Sequence, residues 1–248
     1  MAGLPSFPRA DRRKNQYEKG RKPLHHPPLE TIVERLLAHA RREQDKLCLP
    51  ILHQVTQGKL LTKTMLLASL RMSQNEREQR LAQAADMEFD QQGTLVGWGV
   101  TMIPTRHRFQ MNGKSLFTWC AFDTVLFPPV LGETAQVQST CPVTGQPITF
   151  VATPEGAVLD LTPSSAVLSL ILPAECDECV RATFCEQSLL FWSQQAAISW
   201  LPAHPGALLL SIEEAALVGR AVATSRFKEK EKESVERTRL LRPSPFVQ

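Results

Sequence analysis

The sequence predicts an α+β chain: an N-terminal helical, winged-helix-like region, then a mostly antiparallel β unit with flanking helices. Three observations predict it. Apolar residues recur at helical spacing after Pro28. Two Ser-x-x-Glu capping boxes, at Ser73–Glu76 and Ser211–Glu214, open later helices. From Ala135 onward the pattern changes to short alternating runs separated by turns.

The 248 residues are 43% hydrophobic, enough to bury the core of one large or two small domains. The net charge of +3 is uneven: residues 1–26 carry +5 and residues 226–242 carry +3, which leaves about −5 on the body. The basic balance belongs to the tails, and solvated ends explain it more simply than nucleic acid does. No apolar run approaches the ~18 residues of a membrane helix. No apolar stretch follows the first basic residues, as a secretory signal would require. Six cysteines in that setting point to a reducing compartment, so the expected location is cytoplasmic.

Residues 1–28, rich in Pro, Arg and Lys, read as a disordered or loosely docked arm. The helical region spans 29–103. Leu29, Ile32, Val33, Leu36, Leu37 and Ala40 mark a first amphipathic helix. A second follows Pro50 through Ile51, Leu52 and Val55 and stops at Gly58. Thr62 caps a third, through Met65, Leu66 and Leu70; Ser73 opens a fourth with Leu81, Ala84 and Ala85 inward. Asp90–Gly93 is a turn and Leu95–Met102 a strand, completing the winged-helix outline. DNA binding is disfavoured even so. The run Gln74–Arg80 has two Arg against two Glu, and Asp86, Glu88 and Asp90 follow, whereas a groove-facing helix is basic.

The second unit spans 104–225. Val137 and Ser139 are expected opposite Phe150 and Ile148 in a hairpin turning at Pro142–Gly145. Val158–Leu161, Ala166–Leu172 and Phe184–Trp192 are further strands. Ser193 caps a short helix to Trp200, and Ser211 opens a helix through Ala216, Leu217 and Val222. From Phe227 the chain reads as an exposed charged tail, within 226–248. There are no internal repeats.

Cysteine carries the chemical signal: Cys48, Cys120, Cys141, Cys176, Cys179 and Cys185. The run after Thr118 predicts a short helix ending before Pro128, which puts Cys120 and Asp123 on one face, ~5–6 Å apart at Cβ. A first-turn cysteine there feels the positive helix end, which favours its thiolate. A carboxyl one turn away can take or give a proton. The alternative is a small core cysteine beside Trp119 and an ordinary surface acid.

Trp119-Cys-Ala-Phe-Asp-Thr-Val-Leu-Phe-Pro128, followed by Leu131-Gly132, resembles the signature of the alkylmercury lyase family. Other segments resemble it in the same order: Phe89-Asp90, Gly93, Val96-Gly97 and Pro104–Phe109, then Ser139–Gly145, then Phe184-Cys185, Phe191 and Ala196-Ala197 with Trp200. Together they cover roughly residues 29–225. The resemblance implies an active site of Cys120, Asp123 and Cys185 that cleaves organomercurial small molecules to hydrocarbon and Hg(II). The product metal would rest on Cys120 and Cys185 beside Asp123. Thiolates suit so soft a cation, and Asp123 would carry the proton. Trp119, Phe117 and Phe122 are candidates to line an apolar pocket. No cofactor is expected, free thiols would help remove the product, and a mercuric reductase is the implied acceptor.

Cys141, in a turn, reads as structural. Cys176-Asp-Glu-Cys179 departs from the family pattern; it has metal or redox spacing without a matching second pair, and is assigned no role. Cys48 reads as filler, His25-His26 as loop histidines and His107 as a strand-positioning residue. Two rival functions remain: a thiol-based mercury or metal sensor acting on DNA, and a degenerate lyase homologue that binds without cleaving.

Overall fold

The computed structural model describes residues 26–39, 45–59, 61–62, 65, 75, 87–172 and 183–228. Helix α1 is Leu29–His39 and α2 is Asp45–Thr56; β1 is Leu61–Thr62, β2 Glu88–Phe89, β3 Thr94–Trp98, β4 Val100–Thr101, β5 His107–Met111 and β6 Lys114–Thr118. Helix α3, Asp123–Leu131, precedes β7 Ala135–Thr140, β8 Pro147–Ala152, β9 Val158–Thr162 and β10 Val167–Ile171. Strand β11, Leu190–Phe191, helix α4, Gln194–Ile198, strand β12, Ala207–Ser211, and helix α5, Ile212–Ala223, complete the order.

The larger sheet is antiparallel, ordered β1-β3-β4-β6-β5-β7-β8-β9 with β2 also on β3; β11-β10-β12 form a second. The mixed, mostly antiparallel class is as the sequence predicts. Strict alternation sets the large sheet's inner face. Phe109 and Met111, Val137 and Ser139, and Ile148 and Phe150 are buried, while Arg108, Gln110, Gln136, Gln138 and Thr149 face out. The β7–β8 register pairs Val137 with Phe150 and Ser139 with Ile148, the expected hairpin. Helix α3 lies against β7 and β8, α5 packs along α3, and α1 packs on α5. One apolar cluster runs from Ile32 and Val33 through Phe109 and Val125 to Val218 and Val222, so core and sheet both continue across residue 103.

Several elements differ from expectation. Helix α2 starts at Asp45 and includes Pro50. As its sixth residue, Pro50 withholds an N–H from the carbonyl four positions earlier, so the helix runs through a proline that the sequence reading placed before its start. The single strand read at Leu95–Met102 is instead the β3–β4 hairpin, folded at Gly99, whose φ of +72° suits glycine. A Cβ there would also run into the Phe127 ring. Phe184–Trp192 is not one strand: a 3₁₀ turn at Cys185–Gln187 leaves only Leu190–Phe191 to pair with β10. Phe227, read as the start of an exposed tail, is buried at 5% exposure. Of the winged-helix-like outline, the described residues hold the Asp90 turn, where Gly93 N–H bonds Asp90 O, and a cap in which Thr62 Oγ1 accepts from Met65 N–H. Leu66, Leu70, Ser73, Glu76, Leu81, Ala84 and Ala85 lie outside them, as do Cys176, Cys179 and His25.

The largest departure is α3. It starts at Asp123, not after Thr118, and continues through Pro128 and Pro129 to Leu131. Each proline withholds an N–H from the carbonyl four residues earlier, at Thr124 and Val125. Gly219 of α5 comes down on the second of these: a Cβ there would lie 2.8 Å from Val125 O. Absence of a side chain thus lets two helices meet at backbone distance. Gly219→Ala is expected to destabilise by about 1–3 kcal/mol through overpacking. Thermal denaturation checks it, at roughly 2–4 °C per kcal/mol for a chain this size; an unchanged Tm contradicts the close approach.

Candidate active site

Strand β6 delivers the chain to a bend at Trp119-Cys120, and two bonds fix that bend. Trp119 N–H donates to Gly99 O at 2.8 Å, and the Thr118 hydroxyl donates to Cys120 O at 2.9 Å. Cys120 therefore stands before helix α3 rather than inside its first turn, and is fully buried. Asp123, the first helical residue, is 7% exposed and folds back so that its Oδ2 accepts from Cys120 N–H at 3.2 Å. The expected closeness of Cys120 and Asp123 is present, made by a turn and not by a helix face.

Cys185 opens the 3₁₀ turn that interrupts the expected strand, and is 5% exposed. One ligand atom from each of Cys120, Asp123 and Cys185 lies within 4.8 Å of the others. Among the described residues this is the group of three Cys, His, Asp or Glu side chains close enough to hold a metal ion together. The turn is anchored to β10 by the buried Ser169, whose hydroxyl donates to Gln187 O at 2.7 Å and accepts from Leu189 N–H at 3.0 Å. Ser188, also fully buried, joins it to the Cys120 segment: its carbonyl accepts from Ala121 N–H at 2.9 Å and its Oγ from Phe122 N–H at 3.0 Å. The sequence gives no sign of these serines, because nothing in a short polar residue reveals a buried partner 66 positions away.

Burial governs the electrostatics. It pushes the Cys120 thiol well above its usual range, helped by the Cys185 side chain and the Asp123 charge and opposed only by a backbone bond at Asp123. The thiolate expected from a helix dipole is therefore corrected: at rest Cys120 keeps its proton. Burial also raises Asp123 to about 7, against the pull of hydrogen bonds from the Cys120 side chain and backbone. Near neutrality the Cys120 thiol is therefore protonated and the Asp123 carboxyl is close to its midpoint.

Around it, Phe122 and Phe184 meet edge to face, centroids 6.0 Å apart at 83°. Trp119 is half-buried and its indole N–H donates to Glu88 Oε2 at 3.0 Å, an acid shared with the Thr101 hydroxyl at 2.7 Å. Phe117 does not line this site. It registers with the exposed Arg108, between the buried Leu116 and Thr118, and so belongs to the sheet's other face.

The remaining candidates fall elsewhere. Cys141 is buried in the β7–β8 turn, outside the three-residue cluster. Burial would raise its pKa, but bonds from the Thr144 side chain and the backbone of Trp192, Thr144 and Val143 lower it overall. Cys48 is part of α2. His26 Nε2 stands 3.5 Å from Glu214, so it is tied to the start of α5. His107 on β5 is 2% exposed and pairs through Nδ1 with Ser139 Oγ at 2.9 Å. Burial, with Arg106 adding to it, lowers its pKa to about 3. A neutral ring in the fold and a protonatable one in the unfolded chain mean stability present above about pH 6.5 and lost as pH falls towards 3. By NMR the His107 ring is expected not to titrate between pH 5 and 8; a midpoint near 6.5 contradicts its burial.

Residues 100–224 match the family model described as MerB: Alkylmercury lyase, and the alkylmercury lyase of Bacillus cereus is 36% identical over 175 residues, covering 71% of this chain and 79% of that protein. The chain belongs to the alkylmercury lyase family. The alkylmercury lyase of Pseudomonas putida is 35% identical over 182 residues, covering 73% and 85%. Among solved structures, the crystal structure of the mercury-bound form of MerB2 superposes with a TM-score of 0.67 at 25% identity, covering 79% of this chain and 97% of that one. The family signature read at Trp119–Pro128 falls inside the matched span, as do Cys120, Asp123 and Cys185. Among the described residues no helix is long and apolar enough to cross a membrane.

Proposed function

We propose that this member of the alkylmercury lyase family cleaves the carbon–mercury bond of organomercurials by protonolysis, with Cys120 and Cys185 binding mercury and Asp123 carrying the proton. The observation that carries this reading is the meeting of two buried thiols and one buried carboxyl within 4.8 Å. Mercury is a soft cation, so sulfur outcompetes carboxylate and imidazole for it. An organomercurial R–Hg–X gives up X as the first thiol loses its proton, and X and that proton leave together. The second thiol hands its proton to Asp123 as its sulfur joins the metal. Two thiolates then push electron density onto the mercury-bound carbon. Asp123 returns the proton to that carbon, the carbon keeps the electron pair of the breaking bond, and R–H departs. Hg(II) remains on two sulfurs.

This sequence consumes no redox equivalent and calls on no organic or metal cofactor. Small thiols in solution would lift Hg(II) from the site, and a mercuric reductase is the acceptor we propose for it. The raised pKa of Asp123 supports its role: a carboxyl near 7 both receives and delivers a proton at physiological pH. Phe122 and Phe184, the neighbours of Asp123 and Cys185 in the chain, are the apolar surface we propose for the organic group. The test is release of benzene from a phenylmercury salt by purified protein with excess small thiol. Release supports the lyase. Tight mercury binding without release would favour a sensor or a degenerate homologue.

A further inference from the structure

Cys120 and Cys185 come from segments 65 positions apart, and neither lies on the same strand or helix as the other. Two thiolates act on one mercury only if their separation is held, since misplacement by about 1 Å at a reacting site can cost on the order of a hundredfold. What holds them is a three-point junction at Ser188. Its N–H donates to Cys185 O at 3.2 Å, closing the turn that Cys185 opens. Its carbonyl takes Ala121 N–H, one residue after Cys120, and its side-chain oxygen takes Phe122 N–H, one residue before Asp123. Phe122 is the N-cap of α3 and receives no cap bond from a side chain of its own segment. Ser188 is therefore a cap supplied from the other cysteine's loop, and it is fully buried.

We infer that Ser188 is a positioning residue for the lyase reaction: its hydroxyl fixes the span between the two mercury-binding sulfurs and the approach of Asp123 to them. The backbone bonds would survive replacement of the side chain, but the Phe122 N–H would be left buried without its acceptor. That loss falls on the link between the two cysteine segments and not on either segment alone. The inference rests on the reading that Cys120 and Cys185 share one mercury.

The test uses full-length wild type, Ser188→Ala, Ser188→Thr, Cys185→Ser and Ser211→Ala. The last removes a cap on α5, where Ser211 Oγ accepts from Glu214 N–H, and calibrates what lost stability alone does. Each protein takes one equivalent of mercuric chloride and is titrated with a small monothiol; phenylmercury turnover is measured in parallel. Ser188→Ala is expected to surrender mercury at a thiol concentration at least tenfold below wild type, and to lose at least tenfold in kcat with KM changed less than threefold. Ser188→Thr, which keeps the oxygen, recovers both to within threefold, and Ser211→Ala behaves as wild type. A Ser188→Ala protein that holds mercury and turns over within twofold of wild type overturns the inference. Where alanine does not fold, a folded threonine variant as poor as Cys185→Ser overturns it, and one within threefold of wild type supports it. If Cys185→Ser itself retains mercury like wild type, the shared-mercury reading fails first and the inference falls with it.

Discussion

Cys120→Ser and Cys185→Ser are each expected to lower benzene release from phenylmercury by on the order of a thousandfold or more, because the two sulfurs act as a unit. Serine keeps the volume but is a hard, weakly ionised ligand that does not compete for a soft metal. The two changes should not add: with one sulfur gone, too little electron density reaches the carbon, and removing the second changes little. Both side chains are buried and close to isosteric with serine, so both variants are expected to fold, which thermal denaturation verifies. Either single variant retaining full turnover would sink the two-thiolate mechanism. Cys141→Ser separates this from a general effect of losing a buried thiol; it is expected to keep mercury-dependent turnover, since Cys141 lies outside the cluster.

Asp123→Asn is expected to keep mercury binding and lose hydrocarbon release by at least about a hundredfold, the usual scale of general acid–base catalysis. The amide keeps an oxygen for Cys120 N–H but cannot shuttle a proton. The same change has a stability signature of opposite sign. Asp123 titrates near 7 in the fold against 3.8 as a free side chain, so the folded state holds the proton more tightly. Its contribution to stability is full below pH 3.8 and is lost as pH rises through 7. Above pH 7 the wild type carries a buried carboxylate that the amide does not. There Asp123→Asn should be more stable by ~2–4 kcal/mol, with the advantage shrinking as pH falls towards 4. Denaturant titrations at pH 5 and 8 check this. Loss of mercury binding with unchanged chemistry per bound mercury would contradict the proton-carrier role, and an Asn variant less stable at pH 8 would contradict the raised pKa.

How much of this was legible in the sequence depends on distance along the chain. Cys120 and Asp123 are three positions apart, so their meeting was readable even though the element that brings them together was misjudged. The helix boundary failed because prolines ordinarily end helices, whereas α3 runs through two of them, with Gly219 of α5 set against Val125 O, one of the two carbonyls they leave unbonded. The β7–β8 hairpin and the Ser211 cap were readable because their signals are local. Cys185 was reachable through family resemblance alone. Periodicity made its segment a strand, whereas Ser169 and Ser188 hold it in a tight turn through bonds to distant backbone. Gly99 was likewise read through as strand interior, although its positive φ turns β3 into β4 and its missing Cβ leaves room for the Phe127 ring of α3.

The central claim is that one buried trio both breaks the carbon–mercury bond and keeps the metal. A single turnover tests it most directly: wild-type protein, reduced and freed of small thiols, is mixed with one equivalent of a phenylmercury salt. Benzene is then measured by gas chromatography beside protein-bound Hg(II). The account predicts about one benzene per protein, with Hg(II) retained one to one and released only when a competing thiol is added. Phenylmercury bound intact to the cysteines with no benzene formed would contradict it.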